Sequence, residues 1–217
     1  FLLYMTQDAV PVGEDLIETL YRCFEDEKVG AAYARQLPAP DCHLIERYTR
    51  SFNYPPESCV KSAEDLPKMG IKTYFCSDVC AMYRRPIYES LGGFEEKMIF
   101  NEDMVMAAKI IQSGYKVAYA AEAKVIHSHN YSCKRNFDLA VSQTDFPQIF
   151  EEVKSENEGI RLVKETARYL IRIKKPWLIF SLVTKSGFKF LGYRLGKQYK
   201  KLPGHTEMYD EPPLLGE

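Results

Sequence analysis

NEDMVMAAKIIQSGYKVAYAAEAKVIHSH, running from Asn101 to His129, decides how this chain folds and where its chemistry sits. Apolar residues at Met104, Val105, Ala108 and Ile111 recur at helical spacing, so Met104–Ser113 is predicted as a helix with one buried face. Gly114 ends it, as a glycine just past a helix does. Lys116–Ala120 and Lys124–Ile126 read as strand segments that carry the chain to His127. Asp103, beside Asn101 and Glu102 at the helix start, can then meet the imidazole of His127 in one cleft.

Working outward, the segments on the N-terminal side alternate between strand and helix. Phe1–Met5 is a short continuous apolar run, expected to be a strand covered on both faces. It leads into Thr6-Gln7-Asp8-Ala9, and ligands of open α/β sheets bind beyond the carboxyl ends of strands, where Asp8 falls. Glu14–Phe24 is predicted as an amphipathic helix burying Leu16, Ile17, Leu20 and Phe24, and Val29–Ala34 as the next strand. Arg35-Gln36-Leu37-Pro38 leaves that strand, and Asp41 is expected to cap a helix reaching Phe52. Ser62–Asp65 opens a brief helix closed by Gly70. Thr73–Tyr83 gives a strand and a loop around Ser77-Asp78, and Pro86 with Gly92-Gly93 brackets a short helix. This order predicts an α/β domain and excludes a helical bundle or a β-sandwich.

Beyond Ser132 the character changes. Gly159–Ile173 and Trp177–Tyr199 read as helices divided by Pro176. Residues 1–160 hold 17 Lys/Arg against 25 Asp/Glu, a net of −8, whereas residues 161–201 hold 12 against one, a net of +11. The total of −1 conceals an acidic body and a basic tail, which suit different partners. Trp177–Val183 is apolar all round between basic residues and has two readings: a helical hairpin packed on the body with a solvated basic face or, slightly ahead of it, an interfacial segment for an anionic membrane surface. Pro203–Glu217 is expected to be a loose tail. Six cysteines without a CxxC pair argue against a zinc ribbon or redox motif and suit a cytoplasmic protein. No apolar run approaches the length of a membrane span. Nucleic acid is not an expected partner.

Taken together, the ordered motifs resemble an inverting glycosyltransferase of family 2 with the GT-A fold, and most of all the bacterial rhamnosyltransferases that use dTDP-rhamnose. The resemblance rests on Thr6-Gln7-Asp8-Ala9-Val10-Pro11, Arg35-Gln36-Leu37-Pro38, Phe52-Asn53-Tyr54-Pro55, Tyr83-Arg84-Arg85 with Leu91-Gly92-Gly93-Phe94, Asn101-Glu102-Asp103-Met104, His127-Ser128-His129-Asn130-Tyr131-Ser132 and Leu191-Gly192-Tyr193-Arg194-Leu195-Gly196. It implies a Rossmann-like mixed sheet with flanking helices: part of a GT-A domain over residues 1–145, a basic helical extension over 146–202, and the tail. Members of that family carry a further segment before the Thr-Gln-Asp stretch, with the first strand and most of the nucleotide pocket. The chain is therefore expected to be the metal, acceptor and catalytic-base portion of a larger enzyme, inactive by itself.

The resemblance also implies roles. Asp8 matches the last carboxylate of the family's DXD element and would hold a divalent cation, Mg²⁺ or Mn²⁺, on the donor diphosphate, although Thr6 stands where the first carboxylate usually is. His127 sits where relatives supply an imidazole to the same ion. His129, two residues on, is expected to be able to turn to the other side, and is counted with Gln7, Arg35, Gln36, Ser77 and Asp78 among residues contacting donor or acceptor. Asp78 stands where Asn is expected. Asp103 matches the catalytic base, and a helix N-terminus favours its charged form; Glu102 would orient its neighbours. The implied partners are a nucleotide-sugar donor and a saccharide or lipid-linked acceptor, with the protein peripheral at the inner face of the cell membrane. Two other readings fit the same residues: a metal-dependent phosphoesterase with two ions on Asp8, Asp103 and His127, and an inactive remnant acting as a binding module.

Overall fold

The computed structural model describes residues 1–95, 101–142 and 156–199. Its sheet holds β1 (Leu2–Met5), β2 (Val10–Val12), β3 (Val29–Leu37), β4 (Cys59–Lys61), β5 (Cys80–Tyr83) and β6 (Lys116–Ile126). The strands run in the order β1-β5-β3-β6-β2, with β4 also paired to β6. Only β3 and β6 are parallel; the other pairs are antiparallel. The helices among the described residues are α1 (Leu16–Arg22), α2 (Leu44–Asn53), α3 (Leu66–Met69), α4 (Arg85–Ser90), α5 (Glu102–Gln112), α6 (Cys133–Ser142), α7 (Glu156–Arg172) and α8 (Leu178–Tyr199). A mixed α/β sheet with helices on both faces is what the alternation of segments predicts.

One face of the sheet packs under α5, whose Val105, Met106, Ile110 and Ile111 meet Tyr33, Tyr83 and Tyr119. The other packs under α1, through Leu16, Leu20 and Phe24 against Val29, Ala32 and Val125. Small residues in β3 let α5 come close: a Cβ on Gly30 would stand 2.8 Å from the Ile110 side chain. Several boundaries differ from the sequence reading. Helix α5 begins at Glu102, two residues early, because Asn101 adopts the left-handed conformation (φ 67°) that asparagine tolerates better than most residues. Ile17 lies on the solvent side of α1. Asp41 is not the cap of α2; His43 holds that position. Among the described residues, Phe1–Met5 is not covered on both faces: β1 pairs only with β5, and Leu3 and Met5 remain 41% and 45% exposed.

The register of β6 places the site. Its first half pairs with β4 (Cys59 opposite Tyr119) and its last residues with β2 (Val10 opposite Ile126). Against β3 the pairing jumps from Ala34–Ala120 to Arg35–Lys124, so Ala121–Ala123 bulge and turn the strand. With Val10 opposite Ile126 in an antiparallel pair, the residues just before Val10 lie beside those just after Ile126. Asp8 is thereby brought to the His127–His129 segment by backbone pairing alone.

After β6, α6 packs against α8, so closely that a Cβ on Gly192 would stand 2.5 Å from the Phe137 carbonyl oxygen. Helix α7 docks on α2 by stacking Tyr169 on Tyr48 (centroids 4.5 Å apart), and on the Gly70–Tyr74 turn by the 3.1 Å pair of Glu158 with Lys72. The sequence reading found α7 and α8 but not α6. The boundary expected at 145/146 and the tail from 203 lie outside the described residues.

Candidate active site

Asp8 sits in the turn between β1 and β2, exposed to solvent, with its Oδ2 3.3 Å from Nε2 of both His127 and His129. The one atom that each of these residues offers a metal lies within 4.8 Å of the other two. His129 does not turn away. An extended chain returns to the same side every second residue, and that alternation continues past β6. Ser128 and Asn130 face the other way and latch the loop: Ser128 Oγ accepts from the Ala39 amide (3.0 Å), and Asn130 Oδ1 from the His43 amide (2.9 Å). Tyr131 stacks on the His129 ring at 4.8 Å.

His127 is buried, and Gln36 fixes its tautomer. Gln36 Nε2 donates to Tyr54 Oη (2.6 Å) and Ser77 Oγ (2.9 Å), so its Oε1 is the acceptor, and it also takes a hydrogen bond from Arg50. His127 Nδ1, 3.1 Å from that Oε1, must then carry the proton. The bare lone pair of Nε2 is left pointing at a carboxylate. Burial, with the Arg50 charge nearby, pushes the His127 pKa down to about 4, against the pull of Asp8. At neutral pH two acceptors thus face each other across 3.3 Å, an arrangement that a cation between them relieves. One carboxylate and two imidazoles, one of them oriented by the Gln36 amide oxygen, form a donor set that fits a divalent cation and leaves its other positions open. For Asp8 itself, partial burial raises the pKa, but the Thr6 hydrogen bond and the two imidazoles outweigh it and hold the carboxyl below its usual value.

Asp103 occupies the first turn of α5 on the same network. Its Oδ1 accepts from the Met104 amide (2.7 Å) and its Oδ2 from the Asp78 amide (3.2 Å), in the loop whose Ser77 touches Gln36. Lys61 steadies the run into that loop by donating to the Tyr33 hydroxyl and to the carbonyls of Lys72 and Phe75. Burial, with Glu102 next to it, raises Asp103 to about 6 despite those amides. Asp78 accepts from Tyr83 Oη at 2.6 Å, and burial together with the Asp103 charge raises it to about 7. A carboxylate poised near 6 can take a proton from a hydroxyl it faces.

Asp8, His127, His129, Gln36, Ser77, Asp78 and Asp103 therefore form one connected set, and Glu102 borders it. Gln7 is exposed beside Asp8. Arg35 stands apart in a separate cavity. Arg84 holds the backbone carbonyls of Phe24, Asp26 and Val29, while Arg85 pairs with Glu89 on the surface. Tyr54 and Arg50, which orient Gln36, were not among the expected site residues; Tyr54 lay within a quoted motif, but nothing in the local pattern pointed to its partner. Among the described residues, Asp103 is not part of the cluster that Asp8 forms with the two histidines.

No protein-family model matches the chain. Two curated relatives do. It is 42% identical over 214 residues to the O-antigen chain rhamnosyltransferase WbaN of Salmonella anatum, and 43% identical over 213 residues to the O-antigen chain rhamnosyltransferase RfbN of Salmonella typhimurium. Each match covers 96% of this chain and 68% of the relative. Among solved structures, the mannosyltransferase PcManGT from Pyrobaculum calidifontis, in complex with GDP-Man and Mn²⁺, superposes with a TM-score of 0.56 at 12% identity, over 92% of this chain and 62% of that one. The fold is that of a glycosyltransferase.

Proposed function

The chain belongs to the family of the O-antigen chain rhamnosyltransferases, and from that premise we propose that it transfers rhamnose from dTDP-rhamnose, with inversion, to a hydroxyl of a surface polysaccharide or its lipid-linked precursor. The observation that carries the reading is the connection of a three-residue metal cluster to a helix-start carboxylate through Gln36 and the Ser77-Asp78 loop. Asp8, His127 and His129 would hold the divalent cation, Mg²⁺ or Mn²⁺, and that ion would neutralise the leaving diphosphate. Asp103 is the base: it takes the proton from the acceptor hydroxyl as that oxygen attacks the anomeric carbon. The Met104 and Asp78 amides aim its carboxylate, and Ser77 with Gln7 borders the sugar. The basic helices would hold the protein at the inner face of the cell membrane, where a lipid-linked acceptor is within reach.

The test is transfer from dTDP-rhamnose to a saccharide acceptor in the presence and absence of Mn²⁺, with the product's anomeric configuration read by NMR. A Mn²⁺-dependent product of inverted configuration is expected. Retention of configuration, or hydrolysis of simple phosphate esters at a comparable rate, would overturn the reading.

A further inference from the structure

A cavity of about 130 Å³ opens where the end of β3 meets α2 and α7, lined by Arg35, Arg47, Tyr48, Ser51, Tyr54 and Tyr169 among others, none of them acidic. Arg35 is the anomaly in it. Its Nε is shut from solvent and has no acceptor, and among the described residues the side chain makes no hydrogen bond and no ion pair. Arg47 gives one bond, to the Pro40 carbonyl, and is otherwise unpaired among the described residues. The nearest acid of α2, Glu46, is taken up by Arg50 at 2.8 Å. A buried donor without an acceptor is costly, and two arginine forks beside an aromatic wall match an oxyanion joined to a sugar.

We propose that this cavity is a subsite for a phosphate group of the acceptor, held by Arg35 and Arg47, with the attached sugar lying along Tyr48 and Tyr169. The subsite rests on the sugar-transfer reading for its meaning, but its ligand chemistry is independent of the metal cluster. Gln36 and Tyr54 line the cavity and, on their other contacts, reach His127 and Ser77. The cavity therefore backs onto the Gln36–Tyr54 wall, whose other side carries His127 and Ser77.

The experiment is calorimetric titration of the protein with inorganic diphosphate and with a saccharide 1-phosphate, in chelator and without donor, so that no metal bridges the ligand to Asp8. Saturable binding of the saccharide phosphate is expected, weakened about tenfold or more by Arg35→Gln, since charge-assisted bonds to arginine are worth roughly 1.5–3 kcal/mol. Asp8→Asn should bind as the parent does. If Arg35→Gln fails to fold in a thermal melt, Arg47→Gln carries the same expectation. The proposal is overturned by an absence of saturable binding, by arginine variants that bind like the parent, or by binding of the inorganic ion alone. Because transfer is assayed separately, a protein that transfers rhamnose yet binds no saccharide phosphate sinks the subsite and leaves the activity standing.

Discussion

At the scale of single residues, two neighbouring carboxyls carry opposite expectations. Asp103→Asn removes the proton acceptor but keeps the shape and the helix start. Turnover should fall by about 10²–10⁴ while the melting temperature moves little, and the parent's rate should climb as pH passes through about 6, where Asp103 ionises. An unchanged rate in Asp103→Asn would remove it from the reaction. Asp78 is held against its charge: its folded pKa of about 7 lies above the ordinary 3.8, so the folded state binds the proton more tightly than the unfolded one. Stability from this group is therefore greatest in acid and is lost as pH rises from about 4 through about 7. Asp78→Asn should stabilise the protein by up to about 4 kcal/mol at pH 8 and have little effect near pH 4, in denaturant titrations at both. Motifs at the ends of β1 and β6 carry the meeting of Asp8 with His127, and Asp103 is linked to that pair through Gln36 and the Ser77-Asp78 loop. Sequence left the orientation of Gln36 by Tyr54 and Arg50 unread, since those contacts join residues 14 to 18 positions apart through side-chain geometry alone.

Elements were legible where hydrophobic period and punctuation agreed. Helix α5 and strand β6 follow from spacing, and Gly114, at φ 83°, closes the helix as expected. Failures came where partners decide. The Phe1–Met5 run has the composition of a central strand, yet among the described residues β1 pairs on one side only, which no local pattern reveals. Helix α6, by contrast, went unread although Cys133, Phe137, Ala140 and Val141 recur at helical spacing; in the structure it packs on α8. That packing can be tested with two glycines on one helix. Gly192 has a backbone carbonyl 2.5 Å from where its Cβ would be, whereas nothing lies within 4 Å of the corresponding point at Gly187. Gly192→Ala should force α6 and α8 apart and cost about 1–3 kcal/mol. Gly187→Ala should be neutral or stabilise by up to about 1 kcal/mol through helix propensity. Equal effects in denaturant melts of the two variants would mean that the close approach does not exist.

Over the whole molecule, charge and apolar exposure coincide on the C-terminal helices, and their coincidence bears on where the protein works. Helix α8 buries Leu182 and Gly192 on one side, while Trp177 just before it and Phe180, Val183, Phe190 and Leu191 along it stay at least half exposed. Such a helix is apolar on both its packed and its free side. No helix among the described residues is long and apolar enough to cross a membrane; the membrane role proposed above puts the free side of α8 against a bilayer surface. Each Lys or Arg near anionic lipid contributes about 1 kcal/mol, and residues 161–199 hold ten of them against one acid, Glu165. The protein should therefore cosediment with vesicles containing phosphatidylglycerol, and far less with phosphatidylcholine alone. Adding salt should weaken that binding within the range where the Debye length falls below about 8 Å. Trp177→Ser with Phe180→Ser should lower binding at every salt concentration, whereas Lys174→Gln with Lys175→Gln should lower it only when salt is low. Binding that ignores lipid charge and salt would leave the basic helices without this role, and self-association that masks the α8 face in sedimentation, without vesicle binding, would assign that face to a second copy of the chain instead.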